Sequence, residues 1–213
     1  PAIWKRVAEF CRLRGITLPS LRTVMMFGAP ISIEVIEQWS KILPNGTTFT
    51  PYGATESLPI TCISGDQVLN HCQDRTKNGE GTCVGRPVEG TQVKIIRRGD
   101  QGQYSILGEN EVGEIIVSGD QVTRSYWERH QETKNSKILD DSGKLWHCIG
   151  DYGYMDHEKK LWFCGRKSHA VSLTNGTTLY SVQCEAIFNR HPAIERSALI
   201  TIKDRYGAEK PAI

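Results

Sequence analysis

Thr50-Pro51-Tyr52-Gly53-Ala54-Thr55-Glu56-Ser57 brings together an aromatic ring, a glycine, hydroxyls and a carboxylate within eight residues. Glycine lacks the Cβ that would keep another molecule away from the backbone, and a threonine hydroxyl both donates and accepts. Magnesium takes oxygen ligands, usually one or two carboxylates alongside substrate phosphates. A ligand with a flat ring, a phosphate and a hard cation could therefore use Tyr52, Gly53, Thr55 and Glu56 together. The plainer reading is a polar turn between two strands with Tyr52 as packing, and these residues alone do not separate the two.

Upstream of this stretch, residues 21–27 are apolar and β-compatible, and they run into Gly28-Ala29-Pro30. A helix is expected from Ser32, with Val35, Ile36 and Trp39 on one face, until Pro44-Asn45-Gly46 breaks it. Residues 47–50 then read as a second strand leading into a turn that carries the opening motif. Strand, small-residue turn, helix and strand make a βαβ unit, in which ligands collect at the carboxyl ends of the strands. Both Gly28-Ala29-Pro30 and residues 52–56 fall at such ends. Further upstream, Ile3, Val7, Phe10 and Cys11 are spaced as the apolar face of a helix that Gly15 ends.

Downstream, residues 60–63 read as a strand and residues 66–81 as a short helix or excursion. From Gly85 onward, short β runs at residues 93–96, 113–117 and 161–163 suggest a small barrel or a distorted sheet. Between them, residues 125–138 have a helical composition with Trp127 and Thr133 inward, and residues 140–143 form a tight turn. Asp151, after Gly150, could accept two hydrogen bonds from a vicinal diol or could simply sit in a turn. Arg166, after Gly165, suits a phosphate or a ribose oxygen equally as well as an ordinary exposed turn. Asn175-Gly176 marks another turn, residues 182–190 a helix and residues 198–202 a strand.

The 213 residues suffice for a sizeable core, and a net charge of +2 with cations scattered among acids argues against nucleic-acid or membrane partners. The seven cysteines are far apart, without a C-x-x-C pair, which argues against a disulfide scaffold or structural zinc and suits a reducing cytoplasm. His71-Cys72 and His147-Cys148 are read as packing pairs rather than metal ligands. No apolar run is long enough for a membrane span, and a soluble protein is expected. Pro1 at the start and Lys210-Pro211-Ala212-Ile213 at the end read as a piece of a longer chain.

Taken in order, Gly28-Ala29-Pro30, Tyr52-Gly53-Ala54-Thr55-Glu56, Gly150-Asp151 and Gly165-Arg166 resemble the adenylate-forming superfamily of acyl-CoA synthetases, luciferases and peptide-synthetase adenylation domains. Thr50 to Glu56, Cys83-Val84-Gly85-Arg86-Pro87, Leu161-Trp162-Phe163-Cys164-Gly165-Arg166-Lys167 and Cys184-Glu185-Ala186-Ile187-Phe188-Asn189 are similar to the branch of olefin-biosynthesis β-lactone synthetases. The resemblance implies an α/β fold: residues 1–166 as the C-terminal portion of a large AMP-binding domain, with a βαβ sheet and a small barrel-like subdomain, and residues 167–213 as a hinge and the start of a small α+β domain.

It also implies roles. Gly28, Ala29 and Pro30 would line the adenine pocket, Tyr52 would stack on the ring, and Gly53 and Ala54 would be further nucleotide-binding residues. Thr55 and Glu56 would be catalytic, Thr55 at the α-phosphate and Glu56 on magnesium; Asp151 would take the ribose hydroxyls, and Arg166 the ribose and phosphate side. The hinge would fall at Lys167-Ser168, although Ser168 stands where the family often has an acidic residue or Lys. Ile149 stands where many members have Thr or Ser. The family's phosphate loop and C-terminal lysine are not among these residues, so the chain by itself is expected to be inactive.

The activity so implied is ATP- and Mg²⁺-dependent activation of a fatty or β-hydroxy fatty acid as acyl-AMP, followed by β-lactone closure. An acyl-CoA ligase, with CoA as an added cofactor, and a non-catalytic nucleotide-binding protein on the same fold are the alternatives. Expected partners are ATP, a long-chain carboxylic acid and other enzymes of a lipid pathway.

Overall fold

Helix α1 (Ala2–Arg14) ends at Gly15, whose φ of 61° lets Gly15 N–H reach Arg12 O and Ile16 N–H reach Cys11 O. Its inward stripe is Trp4, Val7, Ala8 and Cys11, packed against the first core cluster. Two of the four residues expected on that face point the other way, since Ile3 is 75% and Phe10 50% exposed. The buried partner decides: Trp4 meets Trp39 edge-on at 5.4 Å, and Trp39 Nε1 donates to Trp4 O. The computed structural model describes residues 1–99, 103–203 and 209–213.

The βαβ unit is present. Strand β1 (Thr23–Met25), helix α2 (Ile33–Ile42) and strand β2 (Thr47–Ala54) follow in order, with β1 parallel to β2 in the register Thr23↔Thr47. Helix α2 buries Val35, Ile36, Trp39 and Ile42. Strand β1 is shorter than residues 21–27 because Gly28, at φ 87°, turns the chain after a single further bond from Met26 N–H to Phe49 O. Strand β2 instead continues through Tyr52, Gly53 and Ala54, with a bulge in its pairing to the next strand between Tyr52 and Ala54, so these residues are strand and not turn.

Antiparallel β3 (Ser57–Ser64) pairs Ser57 with Ala54, leaving Thr55 and Glu56 as a two-residue hairpin loop. A helical stretch follows through α3 (Gly65–Gln67), a π turn (Val68–Cys72) and α4 (Gln73–Lys77), opened by a capping box between Ser64 and Gln67. Strands β4 (Thr82–Pro87), β5 (Gln92–Arg98), β6 (Tyr104–Ile106) and β7 (Gly113–Ser118) precede helix α5 (His130–Ser136). Then come β8 (Lys137–Leu139), β9 (Leu145–Met155) and β10 (Leu161–Arg166).

These strands form one ten-stranded mixed sheet in the order β1-β2-β3-β4-β10-β9-β7-β5-β6, with β8 on β9. Strand β4 joins the βαβ side to the β-rich side, which is a distorted sheet with register shifts in the β9–β10 and β7–β9 pairs. Trp127 is 88% exposed, a correction to its expected inward position, because α5 begins only at His130 and residues 119–129 form a loop. Thr133 is half-buried as expected.

After a 3₁₀ turn (Lys167–His169), the chain forms the hairpin β11 (Val171–Ser172) and β12 (Thr178–Leu179), helix α6 (Ser181–Phe188) and the pair β13 (Ile200–Lys203) and β14 (Glu209–Ala212). Helix α6 rests on the large sheet and against the end of α4: Tyr180, just before it, meets Tyr152 of β9 at 5.3 Å, and Arg190, just after it, donates to Asn78, which follows α4. Among the described residues, no helix is long and apolar enough to cross a membrane.

Candidate functional site

Three strands converge on one carboxylate. Asp151, on β9, is 6% exposed, and each of its oxygens accepts a hydrogen bond: Oδ2 from Tyr52 Oη on β2 at 2.6 Å, Oδ1 from Arg166 Nη1 on β10 at 2.7 Å. Asp151 lies opposite Arg166 in the β9–β10 pairing, and the φ of 75° at Gly150 belongs to the irregular backbone just before it. Asp151 is therefore a strand residue held by a phenol and a guanidinium, not a turn residue. A buried carboxylate needs such partners, because leaving it unpaired costs several kcal/mol, on the order of 3–5. Burial, and then the neighbouring Asp151 charge, push the Tyr52 phenol well above its ordinary pKa, while the bond to Asp151 raises that of Arg166. The Tyr52 ring leans on Phe163 at 5.9 Å with a 45° tilt.

At the tip of the β2–β3 hairpin, Thr55 is exposed and Glu56 half-buried. Glu56 Oε1 accepts from Tyr126 Oη at 2.7 Å, and Glu56 O accepts from Thr123 N–H at 2.8 Å. The phenol bond holds the Glu56 carboxyl below its ordinary range against some burial, and the charges of His147 and Lys137 add to the effect. Lys137 Nζ in turn donates to Thr123 O. Glu56 also raises the pKa of Arg166 through space, so the hairpin tip and the Asp151 group share one electrostatic neighbourhood.

The glycines have different uses. A Cβ on Gly53 would run into the Ser57 carbonyl and Leu58, so the hairpin partner itself occupies that space. Gly28 has open space at its Cβ position and a φ of 87°, which a turn after β1 requires. Gly28, Ala29 and Pro30 are exposed, and the parallel β1–β2 pairing puts them at the same end of the sheet as Tyr52 and Ala54.

Beyond Arg166, Lys167 Nζ donates to Glu114 Oε2 at 2.9 Å, and Arg98 Nε donates to the same oxygen at 2.6 Å. Burial pushes the Glu114 carboxyl up, but the two ion pairs outweigh it and hold it below its usual range. Ser168 follows in the 3₁₀ turn. An open cleft of about 520 Å³ begins here, lined by Arg98, Glu114, Lys134, Cys148, Gly150 and Lys167.

Sequence reasoning missed Tyr126, Thr123 and Glu114. Tyr126 lies 70 positions from Glu56, and nothing local marks it. Glu114 did carry a signal, as a carboxylate inside the apolar strand Gly113–Ser118, where every position is buried. As for a metal, no group of three or more His, Cys, Asp or Glu converges among the described residues. Glu56 has an ionised carboxylate, its Oε1 held by the Tyr126 phenol and its charge further favoured by its own backbone N–H. Such a donor suits magnesium held jointly with substrate phosphates rather than by an all-protein cage.

A family model described as AMP-binding enzyme matches residues 1–127. The olefin beta-lactone synthetase of Xanthomonas campestris pv. campestris is 40% identical over 100% of this chain, and that of Stenotrophomonas maltophilia 37% over the same share. A 4-coumarate–CoA ligase of Oryza sativa is 28% identical over 99%. The chain spans 39% of the length of both synthetases and 36% of that ligase.

Among solved structures, the amide bond synthetase McbA of Marinactinospora thermotolerans superposes with a TM-score of 0.78 at 24% identity, over 99% of this chain and 39% of its own. The O-succinylbenzoate coenzyme A synthetase of Bacillus subtilis, in complex with ATP and magnesium, does so at 0.73 and 24%, over 99% and 39%. These likenesses share the fold, and the matched model covers more than half of the residues: the chain belongs to the AMP-binding, adenylate-forming enzyme family of ligases and synthetases.

Proposed function

We propose that the full-length protein activates a fatty or β-hydroxy fatty acid as an acyl adenylate, with release of pyrophosphate, and that the acid's own β-hydroxyl oxygen then closes on the activated carbonyl and expels AMP. The observation that carries this reading is the joining of Tyr52, Asp151 and Arg166 from three strands beside the Glu56 hairpin tip, in a chain whose 40% and 37% identical relatives are olefin beta-lactone synthetases. Residues 1–166 would contribute the nucleoside end of the site and residues 167–213 the hinge and the start of the small domain. Because the chain spans 39% of those relatives, the activity is assigned to the whole protein and not to these 213 residues by themselves.

In this reading, adenine lies along Gly28, Ala29 and Pro30, with the Tyr52, Gly53 and Ala54 strand beside it. Asp151 accepts the ribose hydroxyls. Its two oxygens already accept from Tyr52 and Arg166, and a carboxylate has about four lone-pair sites, so the diol can join without displacing either partner. Thr55, exposed at the hairpin tip, and Arg166, whose side chain is 55% exposed, are placed to meet the phosphate side. Glu56 would hold magnesium, which when bound supplies charge neutralisation as pyrophosphate leaves. Catalysis then rests on positioning and on charge stabilisation in the transition state. Lys167, tied to Glu114, and Ser168 mark the proposed pivot.

The second reading is an acyl-CoA ligase, favoured by the 28% identity to a 4-coumarate–CoA ligase over 99% of the chain. The full-length protein incubated with ATP and a 3-hydroxy fatty acid, with and without CoA, separates the two. Lactone and AMP without CoA are the expected products, and turnover that strictly requires CoA would replace the lactone reading with the ligase one. Seven free cysteines suit a reducing cytoplasm as the site of action.

A further inference from the structure

We infer that Tyr126 is a positioning residue of the adenylation site, which fixes the Glu56 carboxylate through Oε1. The inference rests on the proposed role of Glu56. Glu56 occupies a two-residue hairpin tip and is half-buried, and within the hairpin its carboxylate is favoured only by its own backbone N–H. The restraint comes from residues 119–129, which leave β7 and lie across the tip. Val122 is sunk among Ile60, Ile115 and Val117, and Gln121 Nε2 donates to Pro59 O at 3.2 Å. Thr123 N–H donates to Glu56 O at 2.8 Å and Tyr126 Oη to Glu56 Oε1 at 2.7 Å, so the loop grips both ends of the residue.

Tyr126 is itself buttressed: its backbone N–H donates to Thr133 Oγ1 at 3.0 Å, and that hydroxyl donates to Arg129 O at 2.8 Å. A phenol bonded to a carboxylate is a charge-assisted contact with a defined direction. With Oε1 bonded to the phenol, the orientation of the whole carboxylate, and so of the oxygen Tyr126 does not take, follows the Tyr126 ring. Losing an outer partner that orients a ligating group typically costs about 10- to 100-fold in affinity or rate.

The test is a double-mutant cycle in the full-length protein with Tyr126→Phe, Glu56→Gln and both together, followed by pyrophosphate release and by calorimetric ATP binding in Mg²⁺ and in EDTA. Tyr126→Phe keeps the ring, and thermal denaturation checks that the fold is retained. The expected result is a rate about 10-fold or more below the parent, a higher Mg²⁺ half-saturation and an unchanged KM for the acid. In calorimetry, the Mg²⁺-dependent gain in ATP affinity shrinks while ATP binding in EDTA stays the same. In the Glu56→Gln background, Tyr126→Phe adds nothing further.

An undiminished effect of Tyr126→Phe in that background, or no effect of it in the parent, overturns the inference while leaving the role of Glu56 standing. An unchanged rate in Glu56→Gln itself overturns the role of Glu56 and this inference with it.

Discussion

The two ends of the candidate site are built around the same bond, a tyrosine phenol donated to a carboxylate, in opposite surroundings. Asp151 sits within a strand, 6% exposed, and takes Tyr52 at 2.6 Å on one oxygen and Arg166 at 2.7 Å on the other. Glu56 sits on a hairpin tip, half-buried, and takes the Tyr126 phenol at 2.7 Å on Oε1, with no arginine bonded to it among the described residues. Burial explains the difference. A carboxylate removed from water must have its lone pairs and its charge satisfied by the protein, whereas one beside solvent can leave an oxygen free for what binds next. The strand end is therefore the more firmly held of the two, with its charge balanced by Arg166, and the tip is ionised and restrained chiefly by Tyr126.

The sharpest way to break this comparison is at the tip. Glu56→Gln in the full-length protein is expected to lower pyrophosphate release by about 100-fold, the scale of removing one group that stabilises transition-state charge. Its melting temperature should fall only slightly, since the Tyr126 bond is weakened but no core packing depends on the lost charge; a large joint loss of rate and stability would show that the tip is structural, like the strand end.

At the strand end the two effects should travel together. Asp151→Ala leaves the Tyr52 phenol buried without its acceptor and Arg166 without its carboxylate, so urea denaturation is expected to show a loss of about 1–3 kcal/mol. Calorimetry should show ATP binding weakened by about tenfold, with binding of the acid unaffected. Equal loss of both ligands would mean that the site has come apart.

The smallest effect concerns alkaline pH. Tyr52 has its pKa raised above 10.0 in the folded protein by burial and by Asp151. The neutral phenol thus contributes stability that is fully present below the unfolded value of 10.0 and is lost as pH rises towards the folded value. Comparing urea midpoints of the parent and Tyr52→Phe from about pH 9 to about pH 11 should show the parent's advantage shrinking. An advantage that grows over that range would contradict the assignment of a buried, neutral donor.

Much of the scaffold was legible because it depends on local pattern. The apolar run before Gly28, the stripe of Val35, Ile36 and Trp39, and the break at Pro44-Asn45-Gly46 are short-range features, and each has its counterpart in β1, α2 and the turn before β2. The failures came where the partner mattered. The apolar face of α1 was misjudged at Ile3 and Phe10 because Trp39 selects the Trp4 side, and Trp127 was placed inward by composition although its loop carries it outward. Glycine, threonine and proline at residues 50–57 suggest a turn, yet pairing with β3 extends the strand through Ala54.

The sequence by itself determined the family, the βαβ order and the candidate groups Tyr52, Glu56, Asp151 and Arg166, since these rest on residue types and on their order along the chain. Only the tertiary structure decided that Tyr52 donates its hydroxyl to Asp151 across 99 positions, and that Glu56 is held by Tyr126 across 70. A hydrogen bond depends on distances of about 3 Å between groups that chain order does not relate, and sheet pairing supplies those distances only after folding.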